Sequence, residues 1–469
     1  MLTAPAHRPQ APVRVGSLLT ALLAASIAFQ LNASMLSPAL VTMARELNTD
    51  DATIGLSQTV FFTLAALFSL FVPRLSDILG RRRVLLAIIA VMLIGSVIAA
   101  LAVNVEMLFV GRILQGVSGP VVPICLLVLR HEITDAKRYG AMFGLLTAVN
   151  GGVAGVDALA GGWLVDRFGF RSIFWVIAVS AAIAIAIVIV WGVESRPSAG
   201  RSMDWWSFLP LVVSVGAMLS ALNEAGKLGS ANWTLVLVYA AVAAAAFVVF
   251  WKVGSRITDP LLDPQLLRKR ASWTLLLTTL LTMAGVYAVV NGLVVSLAQN
   301  DEVGFGMSPD LASVAFLAPY ALVGWLVGPF AGRLAPVIGY RALLRFGLVG
   351  SSISTLLMAF VGVHSAPVLI GATVLIGIMY SGIANIMANG LGVVLSPASS
   401  PGFLPGLNAG AFNLGAGASF AVIPAFQVAL AGKGASAGTA GYTGGMLLGT
   451  AFILAALAMS FLIPRPASS

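Results

Sequence analysis

The chain has 469 residues, 59% of them hydrophobic and 9% charged. A soluble domain carries about a quarter charged residues, so the composition excludes an ordinary water-soluble fold. The formal net charge of +9 then calls for placement along a membrane topology rather than for a nucleic-acid partner, and none is expected.

A bilayer span needs about 20 mostly apolar residues. On that criterion fourteen spans are predicted, near 16–38, 53–73, 84–104, 107–129, 141–163, 172–192, 205–223, 233–252, 272–296, 310–332, 342–362, 367–391, 405–430 and 443–463. Arg8 and Arg14 precede the first run, which is too long for the apolar region of a signal peptide and reads as a retained span. With the N-terminus inside, twenty of the 26 Lys and Arg fall in cytoplasmic segments. Only Arg45, Arg167, Arg171, Lys227 and Lys433 lie outside, and Arg112 falls within a span. Such a bias fits retention of basic residues in the cytoplasm, with both termini there.

The most basic connection is Pro73-Arg-Leu-Ser-Asp77-Ile-Leu-Gly80-Arg81-Arg82-Arg83. A weaker copy begins 259 positions later, Arg333-Leu-Ala-Pro-Val-Ile-Gly339-Tyr-Arg341-Ala-Leu-Leu. Internal repeats of this kind mark secondary transporters built from two related halves. Matching the copies pairs spans 1–6 with spans 9–14 and leaves two spans as an insertion. The expected organisation is a cytoplasmic tail at 1–15, a six-helix bundle at 16–192, an inserted hairpin with flanking loops at 193–271, a second six-helix bundle at 272–463 and a tail at 464–469. The Gly/Ala/Ser-rich stretch Ala431–Gly441 reads as a flexible outer connection.

Chemistry-bearing residues are few. Cys125 is the sole cysteine and His7, His131 and His364 lie far apart, so neither a disulfide nor a metal site is expected. No G-x-x-x-x-G-K-[ST] loop occurs, which argues against ATP hydrolysis by that route. No cofactor is expected, and no nucleophile–base cluster suggests an enzyme. Ionisable groups inside a membrane are costly and mark ion or substrate pathways; only Arg112 and Asp157 stand clearly within spans. Counting rise along the two helices places them at similar depth on consecutive, antiparallel spans, which makes an ion pair between them plausible and makes Asp157 the proton-coupling candidate. Asn150 precedes Asp157 by seven residues and shares its helical face.

Polar residues at helical spacing on apolar spans are the substrate-cavity candidates: Gln30, Ser34 and Ser37 on the first span, Tyr287 and Asn291 on the ninth. On the twelfth, Ser381, Asn385 and Asn389 form a three-turn stripe beside Tyr380, and Asn408 with Phe412 follows on the thirteenth. These faces are neutral, which suits an amphipathic or neutral organic solute. Asp77, an acid in a basic connection, can accept hydrogen bonds from Arg81 or a helix N-terminus; a bond there could hold the cytoplasmic side closed.

The chain resembles the major facilitator superfamily, and its six–two–six layout is similar to that of the fourteen-helix drug:proton antiporters. The likeness rests on Asp77, Gly80, Arg81 and Arg82 in the basic connection, with Pro73 where glycine is usual. It rests also on Arg112-I-L-Gln115-Gly116-V-S-Gly119 in span four, on Gly161-Gly162-Trp163 with Asp166, Arg171 and Phe174, and on Asp204-Trp205-Trp206 with Glu224 and Trp233. The resemblance implies alternating access, a gating role for Asp77, Gly80, Arg81 and Arg82, and a proton-coupling role for Arg112 and Gln115. Two departures stand out: the fifth-helix motif is interrupted at Val153, Asp157 and Ala158, and Asn32 occupies a place where relatives often carry an aspartate. The function expected is export of small organic or drug-like compounds in exchange for protons. The alternative is a proton-coupled symporter importing a small organic nutrient. A monomer in a bacterial inner membrane, in contact with lipid, protons and a small-molecule substrate, is expected in either case.

Overall fold

The computed structural model describes residues 15–133, 135–194, 203–257, 260, 262, 264–396, 403–431 and 438–465. The expected tails at 1–15 and 464–469 and the connection Ala431–Gly441 lie wholly or partly outside these.

Every long element is a helix. In lipid a backbone must satisfy its own polar groups, and a helix does so within one segment. The first half contains α1 (Val15–Glu46), α2 (Asp51–Leu79), α3 (Arg81–Ala100), α4 (Val105–Glu132), α5 (Ala136–Phe168) and α6 (Arg171–Trp191). The inserted pair is α7 (Trp205–Gly226) and α8 (Trp233–Gly254). The second half contains α9 (Arg270–Gln299), α10 (Pro309–Ile338), α11 (Tyr340–His364), α12 (Ala366–Val394), α13 (Phe403–Leu430) and α14 (Ala440–Ser460). Thirteen of these are long and apolar enough to cross a bilayer among the described residues. The remaining one, α5, has 33 residues, about 50 Å of helix at the usual rise, and brings the number to the fourteen expected.

Short polar side chains start several helices by capping their first free amides. Asp50 accepts from the Thr53 amide at 2.7 Å, Asn104 from Met107 at 2.9 Å, Asp204 from Ser207 at 3.0 Å and Asn232 from Leu235 at 3.2 Å. The two copies of the basic connection turn in the same way. Gly80 has φ +103° and Gly339 has φ +98°, a backbone region that residues with a Cβ rarely adopt, so glycine recurs where the repeat requires it. The arginines that follow also do the same work. Arg82 Nε donates to the Val188 carbonyl at the end of α6, and Arg341 Nη1 to the Ile463 carbonyl just beyond α14.

Helix pairing repeats as well. In the first half α3 packs on α6, α6 on α1, α1 on α5 and α2 on α4; in the second, α11 packs on α14, α14 on α9, α9 on α13 and α10 on α12. The halves meet along two seams, α2 with α13 and α5 with α10, which are exchanged when one half is swapped for the other. This is the arrangement of two related six-helix bundles that the repeat predicts. The hairpin lies over one seam only: α7 packs on α13 and α2, while α8 packs mainly on α7 and buries little beyond Ala243, Phe250 and Gly254.

Close approach of α2 and α4 depends on a missing side chain. A Cβ at Gly119 would collide with the carbonyl oxygen of Ala65, whereas one at Gly216 meets nothing within 4 Å. Gly119→Ala therefore should cost about 1–3 kcal/mol through overpacking. Thermal unfolding in detergent should show a lowered Tm for that variant and an unchanged one for Gly216→Ala.

Candidate functional site

The bonds between the halves concentrate at one end. At the end poor in arginine, Arg45 Nη2 pairs with Asp301 at 3.1 Å, Gln299 Nε2 donates to the Pro38 carbonyl at 3.1 Å, and Ser37 Oγ donates to Asn291 Oδ1 at 3.1 Å. At the arginine-rich end Arg74 Nη1 reaches out of the first half to the Pro260 carbonyl at 3.2 Å, and the basic connection is otherwise bonded within its own half among the described residues. Arg81 donates to Asp77 Oδ1 through Nη2 at 2.9 Å and to the Leu127 carbonyl at 3.2 Å, and the Arg82 amide donates to Glu194 at 3.2 Å. Arg82 Nη2 also donates to the Ile189 carbonyl, and Gly80 leaves room for the Glu194 carboxylate. The four expected gating residues thus clamp α2 and α3 to α4 and α6. One apolar core joins both halves through the arginine-poor end and continues down the second half, while the first half has a separate core toward its arginine-rich end. The bonds and the shared core together close the arginine-poor end.

Deep in the first half, α4 carries Arg112 with no exposed surface. Its Nη2 donates to Gln58 Oε1 of α2 at 2.6 Å and its Nη1 to Gln115 Oε1 at 2.8 Å. The guanidinium lies 4.0 Å from the Phe61 ring centroid, within the range of a cation–π contact. Gln115 passes the chain on to Ser96 Oγ at 2.9 Å. Asn32 of α1 donates to Ser118 Oγ at 3.2 Å and, at 3.5 Å, more weakly to the Gln115 carbonyl.

Asp157 is also buried, at 1% exposure, but it belongs to a different cluster. Its Oδ2 accepts a bond from Ser34 Oγ of α1, and Gln30 Nε2 donates to the same serine at 2.8 Å. The expected ion pair with Arg112 is not formed; this is a correction to the sequence reading. The expectation treats consecutive helices as facing neighbours, but α1 bonds to each of them, to α4 through Asn32 and to α5 through Ser34. Each charge meets a side chain of α1 or α2 instead of the other. Asp157 Oδ1 and Arg112 Nε have no hydrogen-bond partner among the described residues.

Across the seam, α9 brings Tyr287 and Asn291 up to α1. Asn291 bridges to Ser37, and its Nδ2 donates to the Tyr287 carbonyl at 3.1 Å. Tyr287 lies within electrostatic range of both Asp157 and Arg112. Its ring meets Phe62 of α2 edge-on at 5.0 Å, Phe420 at 5.9 Å and Phe412 at 6.3 Å. Tyr287 and Phe412 are half-buried, as are Gln30, Ser34 and Asn291. The result is a wall of aromatic rings from both halves beside a row of neutral hydrogen-bonding groups and one carboxylate.

The stripe expected on α12 is divided. The backbone widens into π turns over Gly377–Ala384, which advance fewer degrees per residue than an α-helix. Ser381 therefore turns toward α10, packed where Gly324 lacks a side chain. Asn385 and Asn389 face α13 instead: Asn408 Nδ2 donates to Asn389 Oδ1 at 3.0 Å, Asn389 to Asn385 at 3.2 Å, and Thr279 of α9 to Asn408 Oδ1 at 2.6 Å. Tyr380 is buried with its hydroxyl on Met283 Sδ at 2.5 Å. The side chain of Asn150 lies outside the described residues. Similar π turns occur in α9 over Val289–Val294 and in α10 over Ser313–Leu317, so three helices of the second half are irregular around the site, as is common where helices serve a function.

Sequence reasoning overlooked Gln58, Phe61, Phe62 and Phe420. Phe61 and Phe62 lie in an apolar run with no distinguishing pattern. Gln58 carried a readable signal, being an amide within the Ser57-Gln58-Thr59 break of an otherwise apolar span.

The model of the Major Facilitator Superfamily matches residues 22–420. A uridine/deoxyuridine transporter of Lactococcus lactis is 47% identical, over 96% of this chain and 94% of its own. Multidrug resistance protein Stp of Mycobacterium tuberculosis is 29% identical over 76% of this chain and 66% of its own. Among solved structures, a peptide transporter POT in complex with sulfate superposes with a TM-score of 0.69 at 15% identity, covering 96% of both chains; that likeness bears on the fold alone. With paired six-helix bundles, polar side chains from both gathered at their seam and a family match across most of its length, the chain is a multi-pass membrane transporter belonging to the major facilitator superfamily.

Proposed function

We propose that the protein is a proton-coupled importer of a neutral, ring-bearing solute of the pyrimidine nucleoside class, working by alternating access. The observation that carries this reading is the cluster of aromatic and neutral polar side chains at the seam. Tyr287 and Phe412 offer ring faces for a nucleobase, and Gln30, Ser34, Ser37 and Asn291 offer neutral donors and acceptors for hydroxyl and carbonyl groups. Sites in transporters of this kind lie at the interface of the repeats, which is where α1 and α9 meet. The substrate class is narrowed by the uridine/deoxyuridine transporter of Lactococcus lactis, similar over nearly the full length. Asp157 serves as the proton carrier. With the arginine-rich end in the cytoplasm, as retention of basic residues favours, the closed arginine-poor end faces outward in a bacterial inner membrane. One copy of the chain supplies a complete pathway.

Export of drug-like compounds is the second reading, and the likeness to multidrug resistance protein Stp favours it. Proteoliposomes separate the two. An imposed proton gradient, acid outside, should drive accumulation of radiolabelled uridine, and deoxyuridine should compete. Base stacking on an aromatic ring is worth about 1–3 kcal/mol, so Tyr287→Ala should raise the half-saturation concentration about tenfold or more. Proton-driven dye accumulation in everted vesicles, with no response to uridine, would overturn the nucleoside reading.

A further inference from the structure

The closed end holds a polar group that the substrate cavity does not use. Asp51 opens α2 in the first half, and its Oδ2 accepts a bond of 2.7 Å from Ser296 Oγ of α9 in the second. Ser296 Oγ lies 3.1 Å from the Tyr442 hydroxyl of α14, which also receives Asn300 Nδ2 at 3.3 Å. Asp51, Ser296 and Gln427 of α13 border a small cavity between the halves, together with Gly55 and Phe420. One carboxylate of the first half is thus held among polar groups from three helices of the second.

The other links at this end are of a different kind. Arg45 and Asp301 are 63% and 70% exposed, and exposed pairs contribute little. Gln299 and Ser37 make ordinary neutral bonds, whereas hydrogen bonds to a charged acceptor are the stronger class. Asp50 is occupied in capping its own helix. Gly55 lets Pro424 and the Phe420 carbonyl approach α2 closely beside the cavity, so small movements of α13 bear directly on the Asp51 contact.

We propose that Asp51, with Ser296 and Tyr442, is a latch that keeps the arginine-poor end shut, and that its release permits that end to open. Asp51 touches no substrate in this arrangement; it is a positioning residue that sets the balance between the two closures. The inference rests on the alternating-access reading above.

Distances between spin labels test it. In a Cys125→Ala background, one pair of labels is placed through Val103→Cys and Val361→Cys at the arginine-poor end. A second pair uses Leu79→Cys and Val337→Cys at the arginine-rich end. Ser296→Ala removes the donor to the carboxylate and should raise the widened population of the first pair about tenfold; Asp51→Asn keeps an accepting oxygen but loses the charged acceptor and should raise it by a smaller factor, with the second pair drawing together in both. Asp51→Asn keeps the shape of the side chain, and Ser296→Ala leaves the carboxylate intact, so a folding defect in one does not silence the other. Unchanged distances at the first pair in both variants overturn the latch. Widening at the first pair without narrowing at the second supports the latch and overturns alternating access, and uridine uptake by the unlabelled parent reports on the substrate reading separately.

Discussion

Asp157→Asn is expected to abolish accumulation driven by a proton gradient while leaving uridine exchange across the membrane largely intact. Coupling between two sites is typically worth a factor of about 5–150, and gradient-driven uptake should fall within that range. The geometry accounts for the split. Asparagine retains an oxygen to accept the Ser34 hydroxyl, so the α1–α5 contact and the adjoining cavity survive. What the substitution removes is the capacity to gain and lose a proton. The wild-type carboxyl group has one oxygen bonded and the other, Oδ1, without a donor among the described residues. A proton can reside there without displacing an existing bond. Because Ser34 also receives Gln30 and faces the seam with α9, a change of charge on Asp157 reaches the cavity wall through one side chain. Comparing uptake under an imposed gradient with counterflow at equal pH separates the two effects. Gradient-driven uptake at the wild-type rate would remove Asp157 from the coupling path.

How far the residues announced this arrangement depends on which distance scale is involved. Spans were legible because apolar runs of bilayer length have few other uses. The duplication was legible because Gly80 and Gly339 must both take positive φ and because Arg82 and Arg341 both tie a connection to the end of the last helix of a half. Side-chain partners were less so. Asp157 and Arg112 are both buried in the helix bundle, yet the expectation that they pair assumes that chain neighbours are spatial neighbours. In two interleaved six-helix bundles the neighbour is set by the tertiary packing, here α1. Ser381 was misplaced for a local reason, since a period of 3.6 residues does not survive the π turns of α12. No pattern in the sequence marks where such turns fall.

Arg112 carries the second large expectation. Replacing it with leucine should abolish transport and lower stability by about 1–3 kcal/mol for each buried amide left without its donor. It is among the largest fully buried side chains, and its removal strips Gln58 and Gln115 of their donors while leaving Phe61 without its stacked partner. Lysine should not restore function. Its ammonium is a compact point charge, whereas the planar guanidinium donates along two separate directions to Gln58 and Gln115 while lying 4.0 Å from the centroid of the Phe61 ring. The charge itself has no acidic partner within salt-bridge distance among the described residues, an expensive state in a membrane interior. That expense is the reason to expect movement. On the proposed alternating-access reading, opening of the arginine-poor end is expected to rearrange the amides around Arg112. In this state Arg112→Lys should therefore retain more stability than Arg112→Leu, yet transport as poorly. Thermal unfolding in detergent and uridine uptake, measured on the same preparations, read the two quantities side by side; uptake by the lysine variant at the wild-type rate would show that charge alone suffices.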